Sequence, residues 1–441
     1  MSQYTGTALG ADPPPLIDTG LKGVLEHLNI EKLDEIQNKL QQKLDSFINN
    51  DTNHHIYIAL SLVIVSFIVF FVLSWVYNTL RKKDAACGKL NIIYKDISRH
   101  KTSSYFTNNK KVHAKQETNP TNYFDNQYKS LIKNYYIKTA YNACCGDGYK
   151  NNFVNICALE KCIEVGARCL DFEIYSYNGE PIVASSTANN NSIKETYNYI
   201  TLVELFKVLK DKSFDPSISC GNDPMFLHFR IMSENKVIYD KFGEYIQKYL
   251  ETNDNTIENG EYGNLLNINK FNYKNIDQDN LLLAHIGDST FSKKFIIMVH
   301  TLHVPILDNS KLSKYVHIRS GSSTLRLLRY ENVVAAGVNN PLLIDESHRS
   351  FIMVLPNIDN SLENFDPLLP HRNGCQFVGM KFQNIDSNLV GYYKLFTDYG
   401  GFSFVLKPND LRKDIIPGQS TPVDSQLVTQ VAQTLHTTDG T

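Results

Sequence analysis

From Ile56 to Tyr77 the chain reads IYIALSLVIVSFIVFFVLSWVY, a run without a single charge. At about 1.5 Å per residue a helix of this length reaches ~33 Å, enough to cross a bilayer. Trp75 and Tyr77 stand at one end where interfacial anchors belong, and Arg81, Lys82 and Lys83 follow at once. This predicts one transmembrane helix over residues 56–77. The basic flank places everything after Lys83 on the cytosolic or interior side. The run lies too far from Met1 for an ordinary cleaved signal peptide. Ahead of it, residues 24–48 carry Leu25, Leu28, Leu33, Ile36, Leu40, Leu44 and Phe47 mostly three or four apart, the signature of an amphipathic helix. Self-association and docking on the membrane or a protein partner are both open to that stripe. The first residues, with DPPPL, read as disordered, and residues 1–55 together form the N-terminal segment.

Beyond the span the pattern changes twice. Residues 78–121 are polar and basic and predict a tether, and residues 414–441 predict a flexible tail. Between them, apolar runs alternate with amphipathic helical stretches in the rhythm of parallel strands joined by helices, so the fold class is α/β. The asparagine-rich stretch 251–280 breaks this rhythm. It separates a first half, 122–250, from a second, 281–413.

Composition narrows the picture modestly. Across 441 residues, 46 acids against 44 bases leave a formal net charge of −2, which offers no field for nucleic acid and excludes it as an expected partner. Tyrosine is abundant (25) and tryptophan occurs once, a bias that points to an AT-rich coding genome such as that of a large DNA virus. Eight cysteines lack the spacing of a zinc site or a small disulfide scaffold, and they are expected to be reduced and buried.

Chemistry first appears in ARCLDFEIYS. Strand alternation puts Cys169, Asp171 and Glu173 on one face and Leu170, Phe172 and Ile174 on the other. Two neighbouring inward carboxylates are costly without a cation or an arginine to compensate them. The next apolar run, DPMFLHFRIMS, repeats the parity with Phe226, His228 and Arg230. Arg230 is the candidate compensator. His228 beside Ser185 invites a nucleophile-and-base reading, but a packed, hydrogen-bonded histidine is the expected role.

Taken in order and spacing, YYIKTAYNACC, GARCLDFEIYSYNGEPIVASST and DPMFLHFRIMS resemble the X half of eukaryotic-type phosphoinositide-specific phospholipase C. LPNIDNSLENFDPLLPHRNGCQFVGMKFQ and DYGGFSFVLKPNDLR resemble its Y half, with Gly-Cys-Gln and Leu-Lys-Pro signatures. The resemblance implies a TIM-type (β/α) barrel of the phospholipase-C-like phosphodiesterase kind, built from both halves around the 251–280 linker, with its site at the C-terminal ends of the strands.

Carried over position by position, the resemblance implies a degenerate site. The family's first catalytic histidine falls on Tyr141, and the calcium-binding asparagine after it on Asn142. The acid pair falls on Asp171 and Glu173, in exchanged order, and the remaining calcium-ligating glutamate on Arg230. The second catalytic histidine falls on Ser185. An arginine and a tyrosine that grip phosphate fall on Met353 and Leu355, and the lysines expected after a strand are replaced by Lys293 and Lys294 before it. Cyclising cleavage of a phosphodiester needs a base, an acid and positive charge on the phosphate, and a phenol and a hydroxyl supply neither proton-transfer role near neutral pH.

The expectation is a membrane-anchored pseudoenzyme acting as a structural or binding component, plausibly of a viral membrane or virion. The alternative is a residual phosphoinositide phosphodiesterase or lipid-headgroup binder using Asn142, Asp171 and Glu173. No cofactor or metal is expected, with calcium bound only if the old site still works.

Overall fold

The computed structural model describes residues 30–48, 54–97, 131–188, 193–218, 220–251, 265–266, 271–274, 279–282, 291–398 and 401–412. The sequence readings made for residues 1–29, 98–130 and 413–441 therefore lie outside the described residues, as does most of the 251–280 linker.

Two long helices come first, α1 (Ile30–Ile48) and α2 (His54–Ile97). Within α2, Ile56–Thr79 is long and apolar enough to cross a membrane, and none of that stretch is buried inside the protein. The helix does not stop at Tyr77, where a tether was expected to begin. It runs on to Ile97 because residues 78–97 contain no proline and only one glycine, Gly88. Along this extension Ala86 and Leu90 are buried against the globular part.

Eight parallel strands then wind into a nearly closed barrel. In chain order they are β1 (Tyr135–Ala140), β2 (Cys169–Tyr177), β5 (Met225–Ile231), β6 (Phe295–Thr301), β7 (Ile318–Arg319), β8 (Leu325–Arg329), β9 (Phe351–Leu355) and β10 (Phe377–Met380). The sheet order β7-β6-β5-β2-β1-β10-β9-β8 is completed by a parallel bridge between Ser320 and Leu325. A hairpin of β3 (Glu180–Ala184) and β4 (Ile200–Thr201) extends β2, and β11 (Phe404–Leu406) pairs antiparallel with β1. Helices cover the outside, among them α3 (Ile156–Glu164), α4 (Leu202–Lys212), α5 (Lys236–Tyr249), α6 (Tyr330–Ala336), α7 (Pro341–Arg349) and α8 (Ser387–Asp398). The α4 helix starts at a Thr201–Glu204 capping box.

Parity sorts the side chains as the alternation predicts. Phe172 and Phe229 point outward and stack at 5.4 Å, where Phe206 of α4 and Phe242 of α5 close over Phe229. Phe226, on the inward parity, meets Phe377 at 5.1 Å, Phe351 at 6.4 Å and Phe404 at 6.5 Å, an aromatic layer near the N-terminal ends of the strands. The linker is not wholly outside the core. Leu265 and Leu266 are buried, and Leu266 forms a parallel bridge to Phe295 on β6.

One expectation about the cysteines is corrected. Cys87 of α2 and Cys157 of α3 form a disulfide with a Cα–Cα distance of 6.0 Å, while Cys144, Cys145, Cys162, Cys169, Cys220 and Cys375 are free and buried. The bond joins residues 70 apart, a separation that carries no motif. Only the docking of α2 on the first turn of α3 brings the two sulfurs together.

Candidate active site of the barrel

Strand register assembles the site. In β2 and β5, Asp171 lies beside His228 and Glu173 beside Arg230, so four inward residues form a square of two acids and two nitrogen bases. The chain then turns after β1 through Asn142, which adopts a left-handed φ of 43°, a conformation that asparagine tolerates better than most residues. That turn aims the Asn142 amide into the square.

Arg230 spreads its fork across all three neighbours. Its Nε donates to Asp171 Oδ1 at 2.9 Å and its Nη2 to Asp171 Oδ2 at 2.7 Å, a bidentate pair. Nη1 donates to Glu173 Oε1 at 2.9 Å, and Nη2 also reaches Asn142 Oδ1 at 2.7 Å. The remaining acceptor sites are filled as well. Asp171 receives the Asn142 backbone N–H at 3.1 Å and the His228 ring at 2.7 Å. Glu173 receives Asn142 Nδ2 at 3.2 Å, the Tyr175 hydroxyl at 2.8 Å and the Ser186 backbone N–H at 2.9 Å. Each carboxylate thus accepts four hydrogen bonds, its full capacity.

The cluster is buried, with Arg230 only 1% exposed and Asp171 fully covered. Burial by itself pushes Asp171 up, but the Arg230 charge and the hydrogen bonds from His228 and Arg230 outweigh it and hold the carboxyl well below its usual range. Arg230 is pushed further up, because its acidic partners overcome the desolvation that opposes its charge. Burial lowers His228 despite Asp171. A neutral ring then gives Nδ1–H to Asp171 and accepts the Ser320 hydroxyl at Nε2, 2.8 Å away.

That line of Asp171, His228 and Ser320 has the connectivity of an acyl-transfer triad, but not its setting. Ser320 is 3% exposed, and the backbone N–H groups of Gly321 and Ser322 both bond to Leu325 O, so neither is free to serve as an oxyanion donor. The histidine is a packed network member.

The two positions where imidazoles were expected are filled by packing. Tyr141 lays its ring 5.0 Å from the Arg230 guanidinium and meets Tyr149 edge-on at 5.7 Å. Burial raises its hydroxyl pKa, the wrong direction for a base. Ser185, wholly buried, donates to Tyr149 O at 3.0 Å, and Gln383 Nε2 donates to the Tyr149 hydroxyl at 2.7 Å. On the other wall Met353 and Leu355 are fully buried in β9, and a Cβ on Gly379 of β10 would come within 2.8 Å of Leu355 Cδ2. Glycine at 379 is what gives Leu355 its seat. Lys293 and Lys294 precede β6, at the end of the strand away from this cluster.

Asn142, Asp171, Glu173 and Arg230 are therefore brought together, with Tyr141 on the same cluster and Ser185 bound to the adjoining Tyr149. Met353 and Leu355 line the opposite wall. Sequence reasoning missed Tyr175, which shares the parity of Asp171 and Glu173 and was open to the same argument. It also missed Tyr149, Ser320 and Gln383, which reach the site from loops and from the end of β7 with no local signal. Calcium, which the resemblance implies, does not fit these residues, because the carboxylate acceptor sites are taken and a fixed positive charge stands among them.

The fold that this architecture defines is the phospholipase-C-like (β/α) barrel. Among solved structures, the chain is similar to S. officinalis PLC21 and L. pealei PLC21, each with a TM-score of 0.51 and 16% identity over 68% of this chain. It spans about two fifths of the length of either, 40%. A calcium-dependent phosphoinositol-specific phospholipase C from Pseudomonas sp aligns with a TM-score of 0.38 and 9% identity, over 64% of this chain and 97% of that one. No family model and no curated protein matches the sequence.

Proposed function

We propose that this chain is a phospholipase-C-like pseudoenzyme, held at a membrane by residues 56–77, whose barrel serves as a structural or binding component, most simply of a viral membrane or virion. The observation that carries this reading is the saturation of Asp171 and Glu173 by Arg230, Asn142, His228, Tyr175 and Ser186. Neither carboxylate keeps an acceptor site for a cation, and neither Tyr141 nor Ser185 shuttles a proton. The chemistry attributed to each lost acid–base group is worth on the order of 10²–10⁴ in rate, so loss of both leaves no useful turnover.

Membrane anchoring is supported by the uncovered apolar stretch Ile56–Thr79. The basic residues Arg81 to Lys83 support a barrel on the cytosolic or virion-interior side. The Cys87–Cys157 bond adds that this compartment must permit thiol oxidation. The reducing cytosol opposes that, whereas a sealed virion interior is cut off from cytosolic reductants. These two observations together favour the virion interior.

Calorimetric titration of the full chain in detergent micelles with calcium at neutral pH, alongside a phosphoinositide hydrolysis assay, tests the proposal. No binding heat and no product are expected. Tight calcium binding that disappears in Asp171→Asn, or calcium-dependent cleavage, would establish the alternative of a living phosphodiesterase or headgroup site.

A further inference from the structure

Helix α2 meets the barrel through a narrow contact. Among the described side chains of residues 81–91, only Ala86 and Leu90 are buried, Cys87 is half-buried, and the others are exposed. That contact falls on the loop 141–155 between β1 and α3. A Cβ on Gly146 would come within 3.2 Å of Ala86 Cβ and 3.8 Å of Leu90 Cδ1, so the helix presses closely on this loop from outside. From inside, the same loop holds the barrel mouth. Asn142 gives its backbone N–H to Asp171 and accepts Arg230 Nη2 on its side-chain oxygen, while Tyr149 accepts Ser185 on its carbonyl and Gln383 on its hydroxyl. The neck of the loop is closed by the Asn155 N–H bonded to Cys144 O at 2.7 Å and by a bridge between Cys145 and Val154. One covalent bond, Cys87–Cys157, fastens the helix to this assembly at the first turn of α3. Both of its cysteines are half-buried, whereas the six free ones are buried. A thiol arriving from solvent therefore reaches this bond first.

We propose that Cys87–Cys157 is a redox latch: oxidised, it straps α2 across the 141–155 loop, and reduced, it lets the helix leave. A dithiol reductant supplies the step. Its thiolate attacks one of the two sulfurs to form a mixed disulfide and frees the other, which takes up a proton. The second thiol of the reductant then displaces the remaining cysteine. Two electrons and two protons pass to the protein, and the reductant leaves as a cyclic disulfide. What then holds the helix is two apolar side chains, one of them an alanine, against the freedom regained by a chain that had been tied across 70 residues. In the membrane-held protein proposed above, the latch sets whether the barrel is fixed to its helix or swings on it.

Hydrogen exchange read by mass spectrometry on the full chain in detergent micelles, with and without dithiothreitol, tests the latch, and alkylation of the folded protein shows which thiols are free. Dithiothreitol is expected to make Cys87 and Cys157 alkylatable. It should speed exchange at residues 85–91 and 143–150 at least about tenfold and leave β5 and β6 unchanged. Cys87→Ser and Cys157→Ser should each show the fast pattern without dithiothreitol and ignore its addition, with protection of β5 and β6 reporting that the barrel has folded. The dithiothreitol comparison on the natural chain needs no substitution. Unchanged exchange once both thiols are alkylated overturns the latch, because packing alone then holds the helix. Resistance of the bond to dithiothreitol in the folded protein overturns it too. Faster exchange confined to residues 85–91 overturns the strap on the loop. Calcium binding and hydrolysis do not enter these readouts, so the pseudoenzyme reading stands or falls apart from them.

Discussion

The two ends of the barrel strands have been treated differently. At the N-terminal ends, Phe226, Phe351, Phe377 and Phe404 form an apolar floor, and Gln376 of the Gly-Cys-Gln signature ties three elements together. Its amide donates to Lys133 O at 2.9 Å, Ser347 O at 3.0 Å and Ser350 O at 3.2 Å, and its carbonyl accepts Ile352 N–H at 2.8 Å. At the C-terminal ends, where barrels of this kind place their chemistry, Tyr141 and Ser185 are buried and a guanidinium stands among the acids. The floor is held by ring packing and by the hydrogen bonds of Gln376. The mouth is a saturated polar cluster. Under the pseudoenzyme reading proposed above, such a fold outlasts its chemistry because the two depend on opposite ends of the same strands.

The largest effect expected from breaking this contrast is at the mouth. Arg230→Ala strands two buried carboxylates and should cost about 3–5 kcal/mol, measured by urea unfolding of the full chain in micelles. A loss below about 1 kcal/mol would mean that water already reaches the acids. At the floor, Gln376→Leu removes the hydrogen bonds that Gln376 gives to three carbonyls and takes from a buried N–H, and should cost about 2–4 kcal/mol. If it proves costlier than Arg230→Ala, the floor rather than the mouth is the more tightly constrained end.

A smaller effect tests the idea that packing replaced the phosphate grip. Gly379→Ala pushes a methyl to within 2.8 Å of Leu355 Cδ2 and should cost about 1–3 kcal/mol. Adding Leu355→Val should recover part of that loss, and additive losses in the double variant would show that the two residues do not share the space.

The smallest effect, taken per pH unit, is in pH. Burial lowers Lys407, 1% exposed beneath the floor, to about 7. Between that value and the ordinary lysine range the unfolded chain holds a proton that the folded one lacks. The penalty is complete below pH 7 and fades as pH rises toward 10. The stability difference between Lys407→Met and the natural chain should therefore shrink by up to ~1.4 kcal/mol per pH unit in that window. A difference flat across pH would show that Lys407 stays charged when folded.

Much of this was legible because strand parity is a rigid rule. The inward set Asp171, Glu173, His228 and Arg230 follows from alternation alone, and the β2–β5 register completes the square. What could not be read was long-range. Ser320 approaches His228 from 92 residues away, Gln383 meets Tyr149 across 234, and Cys87 finds Cys157 only through helix docking. The run from Asn78 to Ile97 read as a tether because its polarity resembles that of a linker. Ala86, Cys87 and Leu90 are the sparse apolar positions that give the helix a face to dock.

That docking has a mechanical consequence. In the membrane-bound protein proposed here, one continuous helix leaves the bilayer near Thr79 and is bolted to the barrel at Cys87, with no swivel between. The barrel is then a flag on a pole, and its bearing relative to the spanning helix is fixed by residue count. Each residue inserted between Thr79 and Ala86 turns the flag by about 100° and lifts it ~1.5 Å, while four nearly restore the bearing about 6 Å higher. Height, and heading relative to the spanning helix, thus come in discrete settings that are the same for every copy of the chain.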